Sequence, residues 1–82
     1  MTRENIIDAI TVLAQEAFSD CSLTFDEKLD AGNVEGWTSL SFMNLLTMIE
    51  VKYGFKFKIM ELVKIQNLGQ LVDAVMKHCE NA

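Results

Sequence analysis

An all-α fold is what this sequence predicts: a small antiparallel four-helix bundle, three main helices plus one short helix, with a long loop between helices one and two. Three observations predict it. Apolar residues recur at helical spacing over 4–18, 39–53 and 68–76. No proline occurs anywhere in the chain, so no helix is interrupted by one. The one alternating stretch, "FKFKI" at 55–59, has no second stretch to pair with and reads as an extended link. At 82 residues the chain fits one small domain, 1–82, whose core is modest.

Helix one, 4–18, places Ile6, Ile7, Ile10, Leu13, Ala14, Ala17 and Phe18 on one face, with Thr2 as its cap. Residues 19–37, "SDCSLTFDEKLDAGNVEGW", lose the period. Their scattered Leu23, Phe25, Leu29 and Val34 are expected to pin this long loop onto the core, and Gly32 and Gly36 suit turns.

Helix two is expected from Ser39 to about Tyr53, with Thr38 as N-cap. Trp37, just before the cap, and Phe42, four residues in, match a partly exposed hydrophobic staple. Leu45, Leu46, Ile49 and Tyr53 continue the buried face, and Gly54 stops the helix. A short helical turn is expected near 60–64. The last helix opens on Asn67 as cap, with Gln70 completing a capping box. Leu68, Leu71, Val72, Val75 and Met76 form its buried stripe, and the tail "CENA" is expected to fray.

Composition excludes several functions. Half the residues are hydrophobic, which argues against disorder. No run of ~18 uncharged apolar residues exists to span a membrane. "MTRENIIDAI" carries charge inside its apolar stretch and does not read as a signal peptide, so a cytoplasmic location is expected. The net charge of −5 divides unevenly: residues 1–39 balance at −6 and residues 40–82 at +1. Such a chain is a poor nucleic-acid binder, and basic or mixed protein partners suit it better. Lys52, Lys56 and Lys58 read as solvated surface.

Cys21 and Cys79 have no metal-ligand spacing and read as two small, partly buried thiols rather than a disulfide. The single histidine, His78, sits near the end of the chain and reads as a surface residue. From Asp26, a calcium loop would need an oxygen ligand where Lys28 stands and glycine where Ala31 stands. There is no glycine-rich phosphate loop. Nothing here makes a self-sufficient enzyme.

Ser39 has two readings on periodicity. It either follows a threonine cap, or it presents a hydroxyl outward where an attached phosphate meets free N–H groups and the positive end of the helix dipole.

The stretch "GWTSLSFMNLLTMIEVKYGFKFKIMELVKIQNLGQLVDAV" resembles the acyl carrier protein family. Ser39-Leu40 matches its modified serine and following leucine. Tyr53-Gly54, Phe55-x-Phe57, Ile65 and Leu71-Val72-Asp73 then match in order without gaps. With the acidic first helix and long loop, the resemblance covers nearly the whole chain. It implies a non-catalytic carrier. A separate phosphopantetheinyl transferase attaches a 4′-phosphopantetheine arm to Ser39, flanked by Thr38 and Leu40, and the arm's thiol holds an acyl group as a thioester. The implied partners are acyl-loading and acyl-transferring enzymes of lipid (including fatty acid), polyketide or related secondary biosynthesis, served by a monomer. Phe42, Leu46, Ile49 and Ile65 are implied shelter for an acyl chain; they also read as ordinary core, and the two roles are not exclusive. Met43, Asn44, Thr47 and Glu50 are the implied docking positions.

Three departures from the family pattern stand out. Thr38 occupies the place of the usual acid, keeping the cap and losing the charge. The outward positions of helix two read Ser41, Asn44, Thr47, Glu50 and Lys52, with Glu50 the one acid. Lys56 and Lys58 flank the extended link where acid or proline is commoner. Together they predict a specialised stand-alone carrier. The alternative is a carrier-like domain that is not modified and serves as a protein-interaction or scaffold module, which Thr38 supports. An unrelated helical interaction domain is a third class, against which the gap-free match argues.

Overall fold

The computed structural model describes residues 2–80. Four helices follow in order: α1 (Arg3–Ala17), α2 (Ser39–Tyr53), α3 (Ile59–Lys64) and α4 (Leu68–Glu80). The described residues contain no strand, and 55–58 form the extended link that the unpaired alternation predicts. Cys79 and Glu80 are helical, so α4 outlasts its expected end; Asn81 and Ala82 of the tail lie outside the described residues.

α1 packs against both α2 and α4. Ile6, Ile10 and Ala14 from α1 meet Leu45, Leu46 and Ile49 from α2 and Leu68, Leu71, Val72 and Val75 from α4 in one core. This is the helical periodicity turned into packing: removal of the apolar stripes from water is the dominant favourable contribution to folding. The long loop is fastened to that core by buried Leu23 and Val34, with Phe25 and Leu29 half-buried, as expected.

The helix ends obey local chemistry. Thr2 Oγ1 accepts the Asn5 N–H at 3.2 Å and caps α1. Gly54 ends α2 with a φ of +74°, a left-handed conformation that costs glycine little. At α4, Asn67 Oδ1 accepts the Gln70 N–H at 2.8 Å, which is the expected cap. The return half of the capping box differs: Gln70 Oε1 accepts the Gln66 N–H at 2.7 Å, one residue before the cap.

The first two N–H groups of α4 are satisfied from the loop. Leu68 N–H donates to Leu29 O at 2.9 Å, and Gly69 N–H donates to Glu27 O at 3.1 Å. The two backbones approach so closely that a Cβ at residue 69 would stand 2.8 Å from Glu27 Cβ. Arg3 ties the same corner from α1, pairing with Glu27 at 2.6 Å and with Asp73 of α4.

The structure departs from two sequence expectations. His78 is half-buried rather than at the surface: its ring stacks on Phe55 with centroids 4.2 Å apart and meets Phe57 edge-on. α4 lays it over the extended link, a contact between distant segments that sequence spacing does not reveal. Both cysteines are free, as expected, but Cys21 is exposed rather than partly buried: it lies within the turn closed by the Leu23 N–H on Asp20 O.

Candidate functional site

The loop–helix junction at 36–42 is built from the backbone outward. Thr38, in extended conformation, is the N-cap of α2. Its Oγ1 accepts the Ser41 N–H at 3.1 Å, and Ser41 Oγ accepts the Thr38 N–H in return at 2.7 Å. The Ser41 hydroxyl donates to Gly36 O at 2.7 Å. Ser41 is therefore half-buried and fully engaged in the junction, not an outward position as the sequence reading has it. The signal that finds it is the Thr-x-x-Ser spacing, in which a hydroxyl stands where a capping box has its usual carboxylate or amide.

Beneath the junction lies a stack of three rings. Trp37 sits against Phe42, centroids 5.2 Å apart and 20° from parallel, which is the expected staple. Its other face lies on Phe18, at 5.1 Å and 19°. That second contact leaves Trp37 only 9% exposed, so the staple is buried rather than partly exposed. Phe18 is the C-cap of α1, and the stack thereby fixes the start of α2 to the end of α1. Gly36 makes this possible: a Cβ there would lie 2.1 Å from Phe18 O.

Ser39 is the first residue of α2 and is exposed. Among the described residues its hydroxyl has no hydrogen-bond partner. The N–H groups of Ser39 and Leu40 belong to the first turn, where intrahelical acceptors are lacking, while the Ser41 N–H is taken by the cap. No acidic residue stands in this turn. The result is an unengaged hydroxyl beside free donors at the positive end of a 15-residue helix, a favourable place for a phosphate.

The remaining candidates separate into two groups. Leu46, Ile49 and Ile65 are buried and Phe42 is half-buried, all in the one core. Ile65 also borders an open groove of about 350 Å³ between α3 and α4, shared with Met60 and Ala74. Leu40, Met43, Asn44 and Thr47 are exposed along α2. Glu50 is not the outward acid expected from spacing: it is half-buried, and its carboxylate accepts the Phe57 N–H at 2.8 Å. That bond holds the extended link against α2, because a backbone donor next to a helix needs an acceptor.

The chain is similar to known proteins. A family model described as "phosphopantetheine attachment site" matches residues 22–75. The solution NMR structure of a holo acyl carrier protein from Geobacter metallireducens is 37% identical, with 93% of this chain and 87% of that chain covered and a TM-score of 0.87. No curated protein matches.

Proposed function

The chain belongs to the phosphopantetheine-attachment family of acyl carrier proteins, and from that premise we propose that Ser39 is the attachment residue and that residues 1–82 work as one carrier domain. As a member of the family it is a carrier and not an enzyme, and its cofactor is a covalently attached 4′-phosphopantetheine. The arm's thiol supplies the group on which an acyl cargo is held.

The observation that carries the assignment is the division of labour between two hydroxyls. Ser41 is consumed by the cap and by Gly36, whereas Ser39 is exposed and unengaged among the described residues. A phosphodiester on Ser39 would lie by the free N–H groups of Ser39 and Leu40, so the residues present fit the group. Thr38 supplies the cap that an acid would supply, without adding negative charge beside that phosphate.

The partners we propose are a phosphopantetheinyl transferase and acyl-loading and acyl-transferring enzymes of lipid, polyketide or related secondary biosynthesis in the cytoplasm, met by a monomer. Phe42, Leu46, Ile49 and Ile65 are the proposed acyl shelter, entered by parting helices around the core they share. No described helix is long and apolar enough to cross a membrane.

The test is intact mass after incubation with coenzyme A and a phosphopantetheinyl transferase. One phosphopantetheine is expected on the wild-type chain and none on Ser39→Ala. Modification of the Ala variant at Ser41 or Ser22 overturns the assignment. A wild-type chain that gains no mass favours the unmodified scaffold module instead.

A further inference from the structure

An open groove of about 470 Å³ runs between α1 and the loop segment 23–25. Ile7 and Val12 of α1 and Leu23 and Phe25 of the loop supply its apolar lining. Val12 is 61% exposed, so the apolar surface on this wall is left uncovered. Gln15 Nε2 donates to Leu23 O at 2.8 Å and holds the loop wall against the helix wall.

The charge around the groove is the second observation. Asp8 is the one charged residue that lines it. Glu4, Asp8, Val12 and Glu16 stand four residues apart, so they form one ridge of α1, about 18 Å long. All four are exposed, and none of the three acids has a cationic partner among the described residues. Glu4 and Asp8 repel each other across one turn, an arrangement that an isolated helix disfavours. Arg3, the one cation of α1, is taken by Glu27 and Asp73, and Lys28 stands outside the lining.

We propose that this groove seats an amphipathic helix of a partner protein, aliphatic on one face and edged by lysine or arginine. The inference goes beyond the carrier reading. No residue of α2 or of the 36–42 junction lines the groove, so a partner seated here takes a face separate from Ser39. The aliphatic face covers Val12 and Phe25, while the basic edge meets Glu4, Asp8 and Glu16 beside surface that is losing its water. A ridge of about 18 Å matches about three turns of such a helix. The same three acids repel an acid-edged partner, an anionic lipid surface and a nucleic acid.

The experiment titrates the full chain with two helical peptides sharing one leucine-rich face, edged with lysine in one and with glutamate in the other. Binding is followed by backbone amide shifts. The lysine-edged peptide is expected to bind about tenfold tighter and to move the amides of residues 8, 12, 15, 23 and 25. Its advantage shrinks to about twofold at 1 M salt, where the Debye length is ~3 Å. Asp8→Asn with Glu16→Gln weakens the lysine-edged peptide about fivefold. Glu35→Gln with Glu80→Gln removes the same charge elsewhere and weakens it by less than about twofold. Val12→Ser weakens both peptides, and Ser39→Ala binds as the wild-type chain does. All these positions are exposed, so the fold is retained, and the amide spectrum of each unbound variant checks it.

Tighter binding of the glutamate-edged peptide overturns the proposal, as does the absence of groove shifts at about 1 mM peptide. Shifts confined to α2 and α3 overturn it by placing the partner on another face. Equal weakening by the two charge-removing pairs overturns it as well, because net charge alone then accounts for the preference. Groove shifts that grow with protein concentration in the absence of peptide make a second copy the occupant and overturn it. Movement of the same amides on vesicles of phosphatidylcholine with phosphatidylglycerol overturns it in favour of a lipid surface.

Discussion

His78 Nε2 lies 2.8 Å from one carboxylate oxygen of Glu61 and 2.9 Å from the other, joining the last helix to the first turn of α3. Glu61 also accepts the Lys58 N–H at 2.9 Å, so one carboxylate caps α3 and holds α4. Partial burial pushes the Glu61 carboxyl up, but the Lys58 N–H and then His78 pull it down, and the balance falls below the ordinary 4.5.

A carboxyl lowered by folding stabilises the fold above its ordinary value, and that contribution is lost as pH falls through the lowered one. At pH 6 the wild-type chain should exceed Glu61→Gln by about 1 kcal/mol, or roughly 4–8 °C in melting temperature. The gap should close as pH drops below 4.5. A gap that stays constant down to pH 3 would show that Glu61 acts through shape and not charge.

Trp37→Ala should destabilise strongly. A partly exposed staple would be worth about 1–3 kcal/mol, but a ring buried between Phe18 and Phe42 is a core deletion of about 3–5 kcal/mol. The melting temperature should fall by at least about 12 °C. A fall of a few degrees would mean that the neighbouring phenylalanines close together and recover most of the loss.

Gly36→Ala tests the same junction from the backbone. Its Cβ would meet Phe18 O at 2.1 Å, and neither partner is a flexible side-chain end. A loss on the order of 1–3 kcal/mol is expected, with altered fluorescence from Trp37, the sole tryptophan. Unchanged fluorescence and stability would mean that the loop has room to move away from α1.

Ser39→Ala and Ser41→Ala should differ. The first removes an unengaged surface hydroxyl and should change stability by no more than about 0.5 kcal/mol. The second removes a cap that also binds Gly36 O and should cost about 1 kcal/mol. Thermal melts of the two variants side by side are sufficient; equal losses would remove the distinction on which the assignment of Ser39 rests.

The legible parts of this fold are those encoded within about four residues. The start of α2 at Ser39, the Thr38 cap, the Trp37–Phe42 staple and the Gly54 stop are all local, and each stands where the sequence puts it. The missed parts join distant positions. Phe18 reaches Trp37 across the whole loop, Glu50 reaches the Phe57 N–H beyond a turn, and His78 meets Phe55 and Glu61 from the far end of the chain. Periodicity marks each of these segments as helical or extended but carries no information on which distant partner a side chain finds. The same holds at the junction: spacing places Ser39 at the helix start and leaves its role open between two readings, and the Thr38–Ser41 pair is local, while the bond from Ser41 to Gly36 O requires the folded loop.

The bonds from Leu68 and Gly69 to the carbonyls of Leu29 and Glu27 give the long loop an uneven tolerance of change. Its exposed turn at residues 31–33 is a place where extra residues lengthen the chain without touching a helix. A single residue inserted between 27 and 29 shifts the acceptors out of register and strips the first two N–H groups of α4 of their partners from a position some forty residues upstream. Chain-length variation in relatives of this protein is therefore expected to gather at the turn and to stop short of Glu27–Leu29, and a graft of another loop onto this bundle succeeds only when it brings those two carbonyls with it.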